Sequence, residues 1–298
     1  MDARGPLCVG IDPHPSLLAD WDLADDIHGL ERFTRLTVEA LADRTAVLKP
    51  QSAFFERFGS RGIAVLEKAV AEARDAGAVV IMDAKRGDIG STMAAYADAF
   101  LDPSSPLFSD ALTVSPYLGF GSLRPAVELA RRNGCGLFVL ALTSNPEGAE
   151  VQHAVRGATA LDAAGAAGGA GGTGAAPGTG AAHRTGSEAH SVAATVLRHL
   201  AAENAGAEPM GSFGAVVGAT LGGTPGELGI DLAINGPLLA PGIGAQGATP
   251  ADLPGVFGGV VRDVVPSVSR GVLKHGPDIG GMRDSARRFV EEVRAAVN

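Results

Sequence analysis

The sequence predicts a (β/α)8 barrel, because short apolar segments alternate with amphipathic segments along its 298 residues. Each short segment has apolar residues at consecutive positions instead of alternating ones, which is typical of parallel strands covered on both faces. Eight strand-helix units fit this chain length. An open, doubly wound sheet is the alternative, although no G-x-G-x-x-G turn follows the first strand. We therefore predict an α/β protein with a single TIM-barrel domain, residues 1–298, that carries one low-complexity insertion.

The predicted strands are the eight short apolar runs of the chain. They are Leu7–Asp12, Ala46–Pro50, Ala78–Asp83, Ala111–Ser115, Gly136–Thr143, Phe213–Ala219, Pro237–Gly242 and Val265–Val272. Between them, the amphipathic segments Ile63–Ala76 and Leu123–Asn133 predict helices, and Gly134 predicts the end of the second. Ser91 is a candidate N-terminal cap for the helix that follows the third strand.

Two segments depart from this alternation. From Gly157 to Gly186 the chain consists mainly of Gly and Ala, which bury little surface and are costly to order. We predict a disordered surface insertion there. The segment Leu221–Asn235 has several glycines and a proline where the sixth helix should lie, so we predict a short or irregular helix.

Charge and hydropathy narrow the function class. The formal net charge of −9 disfavours a general nucleic-acid-binding protein, which needs an extended basic face. A small phosphorylated ligand remains compatible, because one or two local cations suffice to bind it. No apolar run approaches the roughly 20 residues of a membrane helix, and no signal peptide is visible. We expect neither nucleic acid nor a membrane among the partners.

The two cysteines, Cys8 and Cys135, both lie in apolar, strand-like runs. No CxxC or other metal-ligand spacing is present. We predict two buried free thiols, since an unpaired Cys behaves as a small apolar side chain. Sparse cysteine fits a reducing compartment, and we expect a cytoplasmic protein.

Charged residues stand where the first three predicted strands end. Asp83 and Lys85 are two positions apart, so their side chains would point to the same side of an extended strand. Lys49 ends the second strand and Asp12 the first. Because active sites of (β/α)8 barrels lie at the C-terminal ends of the strands, we expect these four side chains to converge on one mouth. A surface salt-bridge cluster is the non-functional alternative.

Longer motifs are more specific than these single positions. Asp83-Ala-Lys-Arg-Gly-Asp-Ile-Gly-Ser-Thr92 resembles the signature of the orotidine 5′-monophosphate decarboxylase family, in the branch that includes actinobacterial enzymes. Further stretches match that branch in order: Val9-Gly-Ile-Asp-Pro13, Leu48-Lys-Pro-Gln-Ser-Ala-Phe-Phe-Glu56, Leu112-Thr-Val-Ser-Pro-Tyr-Leu-Gly119, Leu142-Thr-Ser-Asn-Pro-Glu-Gly148, Val216-Val-Gly-Ala-Thr220, Ala240-Pro-Gly-Ile-Gly-Ala-Gln-Gly247 and Ser269-Arg-Gly271. The resemblance covers nearly the whole chain apart from the Gly/Ala tract.

The resemblance implies a carboxy-lyase that converts orotidine 5′-phosphate to UMP, the last step of de novo UMP biosynthesis, without cofactor or metal. It implies a homodimer in which Lys49, Asp83 and Lys85 of one subunit meet Asp88 and Thr92 of the other. We expect Lys85 to stabilise the negative charge that develops at C6 of the pyrimidine and then to donate the proton.

The same resemblance implies the residues that hold the substrate. Asp12 would contact the ribose hydroxyls and Ser144 the pyrimidine. Gln246 and Arg270 would hold the 5′-phosphate, assisted by backbone N–H groups around Gly271. Arg270 also has an independent argument, because barrels commonly bind phosphate near the end of strand eight. Taken alone, Asp12, Ser144 and Gln246 could simply be turn residues.

Two rival functions remain. A sibling barrel that shares the D-x-K-x-x-D spacing would use Mg²⁺ and a carboxylate at the end of strand two, where this chain has Lys49. A non-catalytic barrel that binds phosphorylated ligands would keep Arg270 and Gln246 but would not need Asp83 or Lys85.

Overall fold

The computed structural model describes residue 1 and residues 3–155 and 190–297. Within them, parallel strands pair in sequence order and close into a barrel, since β1 also pairs with β8. The strands are β1 (Cys8–Ile11), β2 (Val47–Pro50), β3 (Val79–Arg86), β4 (Ala111–Val114), β5 (Gly136–Leu142), β6 (Phe213–Val217), β7 (Leu238–Pro241) and β8 (Val264–Val268). The predicted (β/α)8 barrel is therefore confirmed.

Helices follow the strands and cover the barrel. The α-helices of the described residues are α1 (Pro15–Asp20), α2 (Ile27–Leu41), α3 (Ala53–Glu56), α4 (Gly59–Asp75), α5 (Gly90–Leu101), α6 (Arg124–Asn133), α7 (Ala149–Gln152), α8 (Val192–Glu203), α9 (Thr224–Glu227), α10 (Leu253–Phe257), α11 (Arg270–Leu273) and α12 (Ile279–Val297). Short 3-10 helices occupy Phe120–Leu123, Pro146–Gly148, Pro250–Asp252 and Gly258–Asp263.

All eight predicted strands are present, but two end three or more residues from the predicted position. β3 continues three residues beyond Asp83, and its register against β4 shifts between Met82 and Arg86. β8 stops at Val268, whereas the prediction ran to Val272. The apolar run continues past Val268 because Val272 and Leu273 are the buried residues of α11. Apolar character alone therefore does not separate a buried strand from a buried short helix.

Helix ends follow local capping chemistry. Asp26 caps α2 by accepting hydrogen bonds from the backbone N–H groups of His28 and Gly29, both at 2.9 Å. The predicted stop of α6 is confirmed, because Gly134 adopts a left-handed φ of 68°. The predicted Ser91 cap is wrong. α5 begins one residue earlier, at Gly90, and Ile89 occupies the cap position with no side-chain hydrogen bond.

The core has two parts. The larger lies between the sheet and the helices, where Phe33 and Phe55 are fully buried. The smaller fills the inside of the barrel with one cluster of apolar side chains: Cys8, Ala46, Val47, Ile81, Ala111, Phe138, Val216, Leu239 and Val265. Both cysteines are free and buried, as predicted.

The two atypical segments have different outcomes. The sixth helix is short as predicted, because between Leu221 and Asn235 only Thr224–Glu227 is helical. The predicted insertion at 157–186 lies outside the described residues. Among the described helices, none combines the length and the apolar character that a membrane crossing requires.

Candidate active site

A charged cluster stands at the C-terminal mouth of the barrel, where β2 and β3 end. Asp83 lies between two ammonium groups: its Oδ2 is 2.6 Å from Lys49 Nζ, and its Oδ1 is 2.6 Å from Lys85 Nζ. Thr113 on β4 donates a hydrogen bond of 2.9 Å to the same Oδ1. Of the four side chains expected to converge, Lys49, Asp83 and Lys85 are in direct contact, and Asp12 lies at the end of the neighbouring strand β1.

Burial and charge act in opposite directions on this cluster. Burial by itself raises the pKa of Asp83, but the charges of Lys49 and Lys85 and their hydrogen bonds outweigh it and hold this pKa well below its usual value. Burial likewise lowers the pKa of Lys49, and the neighbouring Asp83 and then Asp12 outweigh it and raise this pKa above its usual value. Asp83 and Lys49 therefore stay ionised across the physiological range.

Lys85 is the accessible cation of the cluster. Its side chain is 44% exposed, against 8% for Lys49 and 9% for Asp83. Its backbone departs from the extended strand that we expected, because φ is 48°. Such a conformation is strained for a residue with a Cβ atom and persists only where the surroundings hold it. Here the Lys85 N–H donates to Thr113 Oγ1 at 2.9 Å.

Two members of the cluster have no predicted role from the sequence. Thr113 connects the Asp83 carboxylate to the Lys85 backbone, and Gln51 Oε1 accepts a hydrogen bond of 3.2 Å from Lys85 Nζ. Both have a sequence signal in retrospect. Thr113 is the polar residue of the buried strand β4, and Gln51 lies two positions beyond Lys49, on the same side of an extended chain.

Asp12 lies just past the end of β1, next to the turn that follows β8. A Cβ atom on Gly10 would lie 2.8 Å from Asp12 Oδ2 and 3.0 Å from Ser269 Cβ. The glycine therefore allows the ends of β1 and β8 to approach each other. Asp12 Oδ1 and Ser269 Oγ are both buried without a hydrogen-bond partner among the described residues. Buried polar atoms of this kind are costly unless a ligand or water satisfies them. Ser269 is a second residue that the sequence reasoning missed.

The structure does not bring Asp88 or Thr92 to the cluster of the same chain. Asp88 Oδ1 accepts a hydrogen bond of 2.8 Å from the Ile89 N–H, and Thr92 is exposed on the first turn of α5. Three large side chains in the segments after β3 and β4 are exposed: Ile89, Tyr117 and Leu118, at 62%, 78% and 53%.

The predicted phosphate ligands lie on different sides of the β7 and β8 loops. Gln246 Oε1 accepts a hydrogen bond of 3.4 Å from Ser144 Oγ. Gln246 and Thr220 both line a cavity of about 580 Å³. Arg270 is exposed and lines a separate cavity of about 610 Å³. It opens α11 rather than ending β8, and Gly271 follows it in the same helix.

Comparison with known proteins places this chain in a family. The model of the orotidine 5′-phosphate decarboxylase / HUMPS family matches residues 5–174. Orotidine 5′-phosphate decarboxylase from Streptomyces coelicolor is 67% identical over 297 residues, which is 100% of this chain and 95% of that protein. This chain belongs to that family.

Solved structures of family members agree with this membership. A crystal structure from Streptomyces avermitilis, assigned as an orotidine 5′-phosphate decarboxylase, is 69% identical and superposes with a TM-score of 0.87 over 100% of this chain and 93% of that one. The orotidine 5′-phosphate decarboxylase of Leishmania donovani is 27% identical, with a TM-score of 0.68 over 99% and 95% of the two chains. The family resemblance inferred from the motifs is therefore confirmed.

Proposed function

We propose that this chain decarboxylates orotidine 5′-phosphate to UMP, the last step of de novo UMP biosynthesis. The observation that carries the proposal is the Asp83 carboxylate held 2.6 Å from both Lys49 and Lys85 at the barrel mouth. Fixed, fully ionised groups of alternating sign can stabilise a charge that develops during a reaction without reorganising. Membership of the family supports the same reaction.

In the proposed reaction, the bond between C6 and the carboxylate breaks and its electron pair stays on C6, while CO2 leaves. Lys85, the accessible ammonium, stabilises this pair and donates the proton that completes UMP. Asp83 stands near the substrate carboxylate and repels it, which raises the energy of the bound substrate. Lys49 keeps Asp83 in place, and water reprotonates the Lys85 amine.

The remaining predicted residues bind the substrate away from the reacting bond. The unsatisfied Asp12 Oδ1 supports a contact with the ribose hydroxyls, which are hydrogen-bond donors. Ser144 beside Gln246 supports a pyrimidine contact next to a phosphate contact. Arg270 and the backbone N–H of Gly271 complete the phosphate site after the guanidinium turns inward from the position it has here. Binding energy from the phosphate then favours closure of the loops over the site.

The proposed enzyme is a homodimer in which Asp88 and Thr92 complete the partner's site. Within one chain neither residue reaches the charged cluster, yet Asp88 follows it by three positions. Ile89, next to Asp88 in the chain, and Tyr117 and Leu118, in the segment after β4, are large exposed side chains. Their burial against a second copy would remove apolar surface from water.

We also propose that residues 1–298 form a single domain. We further propose a cytoplasmic location, which the two free cysteines support.

The deciding experiment follows the loss of orotidine 5′-phosphate absorbance by the purified chain in EDTA. Rapid conversion to UMP supports the proposal and separates it from the Mg²⁺-dependent sibling reaction. Absence of conversion, with turnover of a sugar phosphate on addition of Mg²⁺, would reject it in favour of that sibling. Binding of UMP without release of CO2 would reject it in favour of a non-catalytic binding barrel.

A further inference from the structure

A second cavity lies beside the proposed phosphate site, between α1, α11 and α12. We call it the outer pocket. It has a volume of about 610 Å³ and is lined by Arg270, Lys274, His275 and Arg288, together with the carboxylates of Asp20 and Glu292. Neither Gln246 nor any residue of the charged cluster lines it. The outer pocket therefore shares Arg270, Gly271 and part of the β7 loop with the proposed phosphate site, but not Gln246.

The outer pocket has unpaired positive charge. Arg270, Lys274 and Arg288 make no side-chain hydrogen bond or ion pair with any residue in the described ranges. Three permanent cations face two carboxylates there, whereas the chain as a whole has a net charge of −9. An excess of cations in one concave site of an acidic protein favours an anionic ligand.

One contact relates the pocket to the turn proposed to bind the substrate phosphate. Ser285 Oγ, on the α12 wall, donates a hydrogen bond of 3.2 Å to the Gly271 carbonyl. A ligand that contacts this wall is thus one hydrogen bond away from the turn proposed to bind the substrate phosphate.

The volume of the outer pocket and the number of its cations indicate which class of ligand it binds. Arg270 is the first residue of α11 and Lys274 is its C-terminal cap, while Arg288 lines the same pocket from α12. Cations on two walls match an anion with several charged groups better than a single phosphate. A cavity of about 610 Å³ is large enough for a nucleotide, and the Phe289 ring adds an apolar wall.

We propose that the outer pocket binds the polyphosphate group of a phosphorylated metabolite, and that this anion holds Arg270 away from the substrate phosphate. The kinetic consequence of this inference rests on the proposed decarboxylase function, whereas the binding itself does not. A bound polyphosphate raises the KM for orotidine 5′-phosphate, because it competes for one guanidinium. It leaves kcat unchanged, since Lys85, Asp83 and Lys49 do not line the pocket.

Binding is tested by calorimetric titration of the full chain with inorganic tripolyphosphate, in EDTA and with UMP present at saturation. We expect binding to persist with UMP bound, and the Lys274→Ala/Arg288→Ala variant to raise Kd about tenfold or more. A matched control, Lys68→Ala/Arg294→Ala, removes the same charge from exposed positions outside the pocket and should leave Kd within about twofold. Complete displacement of tripolyphosphate by UMP, or equal Kd values for both variants, would overturn the proposal.

Kinetics separate this inference from the proposed function. Both double variants should keep the wild-type kcat and KM for orotidine 5′-phosphate, and only the pocket variant should lose inhibition by tripolyphosphate. If the wild type does not release CO2 from orotidine 5′-phosphate, the function fails while the binding result stands. A parallel titration with UTP identifies the source of the polyphosphate: tighter binding than tripolyphosphate assigns a nucleotide, and equal binding assigns the polyphosphate group alone.

Discussion

At the scale of single residues, the site depends on one carboxylate. Asp83 is almost fully buried, and a lone buried carboxylate would become protonated to avoid the loss of hydration. Lys49 on one oxygen and Lys85 with Thr113 on the other make the ionised form the stable one. The same contacts position Lys85 Nζ, so the electrostatic balance of the cluster and the geometry of the proposed proton donor have one cause.

The first prediction concerns the proton donor. Lys85→Ala should lower kcat by roughly 10³-fold or more, because both the charge stabilisation and the proton donor are lost. UMP should still bind measurably, since the ribose and phosphate contacts remain. Steady-state kinetics and UMP titration test this, with Lys68→Ala on the exposed face of α4 as the control. A variant that keeps a large share of the wild-type kcat would show that Lys85 does not have this role.

The second prediction concerns stability. Lys49→Met removes one of the two ammonium groups from a buried carboxylate and should lower the free energy of unfolding by roughly 3 kcal/mol in urea denaturation. Lys49→Met/Asp83→Leu removes the uncompensated charge as well, so most of that loss should be recovered. A single variant as stable as the wild type would show that the cluster does not need Lys49 to keep Asp83 ionised.

The pH dependence of this stability has a defined sign. The lowered pKa of Asp83 contributes stability that is complete above the ordinary value of 3.8 and is lost as the pH falls below it. The raised pKa of Lys49 contributes stability that is complete below 10.5 and is lost as the pH rises through its higher folded value. The free energy of unfolding of the wild type should therefore fall more steeply below pH 3.8 than that of the double variant.

At the scale of elements, short connections place the reactive ends of the strands. β2 carries Lys49 and passes through α3 directly into α4, which packs closely over this turn. A Cβ atom on Gly62 of α4 would overlap the Phe55 carbonyl oxygen of α3. The glycine is therefore required by the close approach of two helices. On the other side of the mouth, Trp21 Nε1 donates a hydrogen bond of 2.8 Å to the Leu273 carbonyl and so holds α11 against α1.

The third prediction tests that close approach. Gly62→Ala should lower the free energy of unfolding by about 1–3 kcal/mol, because the overlap outweighs the better helix propensity of alanine. Gly226→Ala in α9 is the matched control: a Cβ atom there meets nothing within 4 Å, so the change should stay within about 1 kcal/mol. Equal effects at the two positions in thermal or urea unfolding would contradict this reading of the packing.

At the scale of the whole molecule, one chain does not bring all of the predicted site residues together. The cluster supplies Lys49, Asp83 and Lys85, whereas Asp88 turns back to its own backbone. In the proposed homodimer, each mouth receives Asp88 and Thr92 from the other subunit. Activity would then depend on association, and dilution below the dimer dissociation constant would reduce it.

The fourth prediction uses mixed dimers. Lys85→Ala and Asp88→Asn should each be nearly inactive alone. Subunits of the two variants, mixed and allowed to exchange, should regain about a quarter of the wild-type activity, because half of the dimers are mixed and each mixed dimer has one intact site. Sedimentation measurements on the same samples establish the dimer. A mixture that stays inactive although it is dimeric would show that Asp88 does not act across the interface.

The sequence predicted the barrel and the central cluster well because both follow local rules. Eight apolar runs and the positions of Lys49, Asp83 and Lys85 at strand ends were sufficient to place them together. It was wrong about the ends of β3 and β8 and about the Ser91 cap. In each place a change of two to four residues in the element boundary depends on packing, which residue type reports only weakly.

The sequence by itself determined which elements form, their order, and therefore which strand ends share the mouth, since a closed parallel barrel brings those ends together whatever the details. Only the tertiary structure decided how the polar atoms are paired. Thr113 joins the cluster where the register of β3 against β4 shifts, and Lys85 adopts a left-handed backbone conformation. Arg270 points into the outer pocket and not toward Gln246. These outcomes depend on contacts between residues far apart in the chain, and such contacts arise only when the barrel closes.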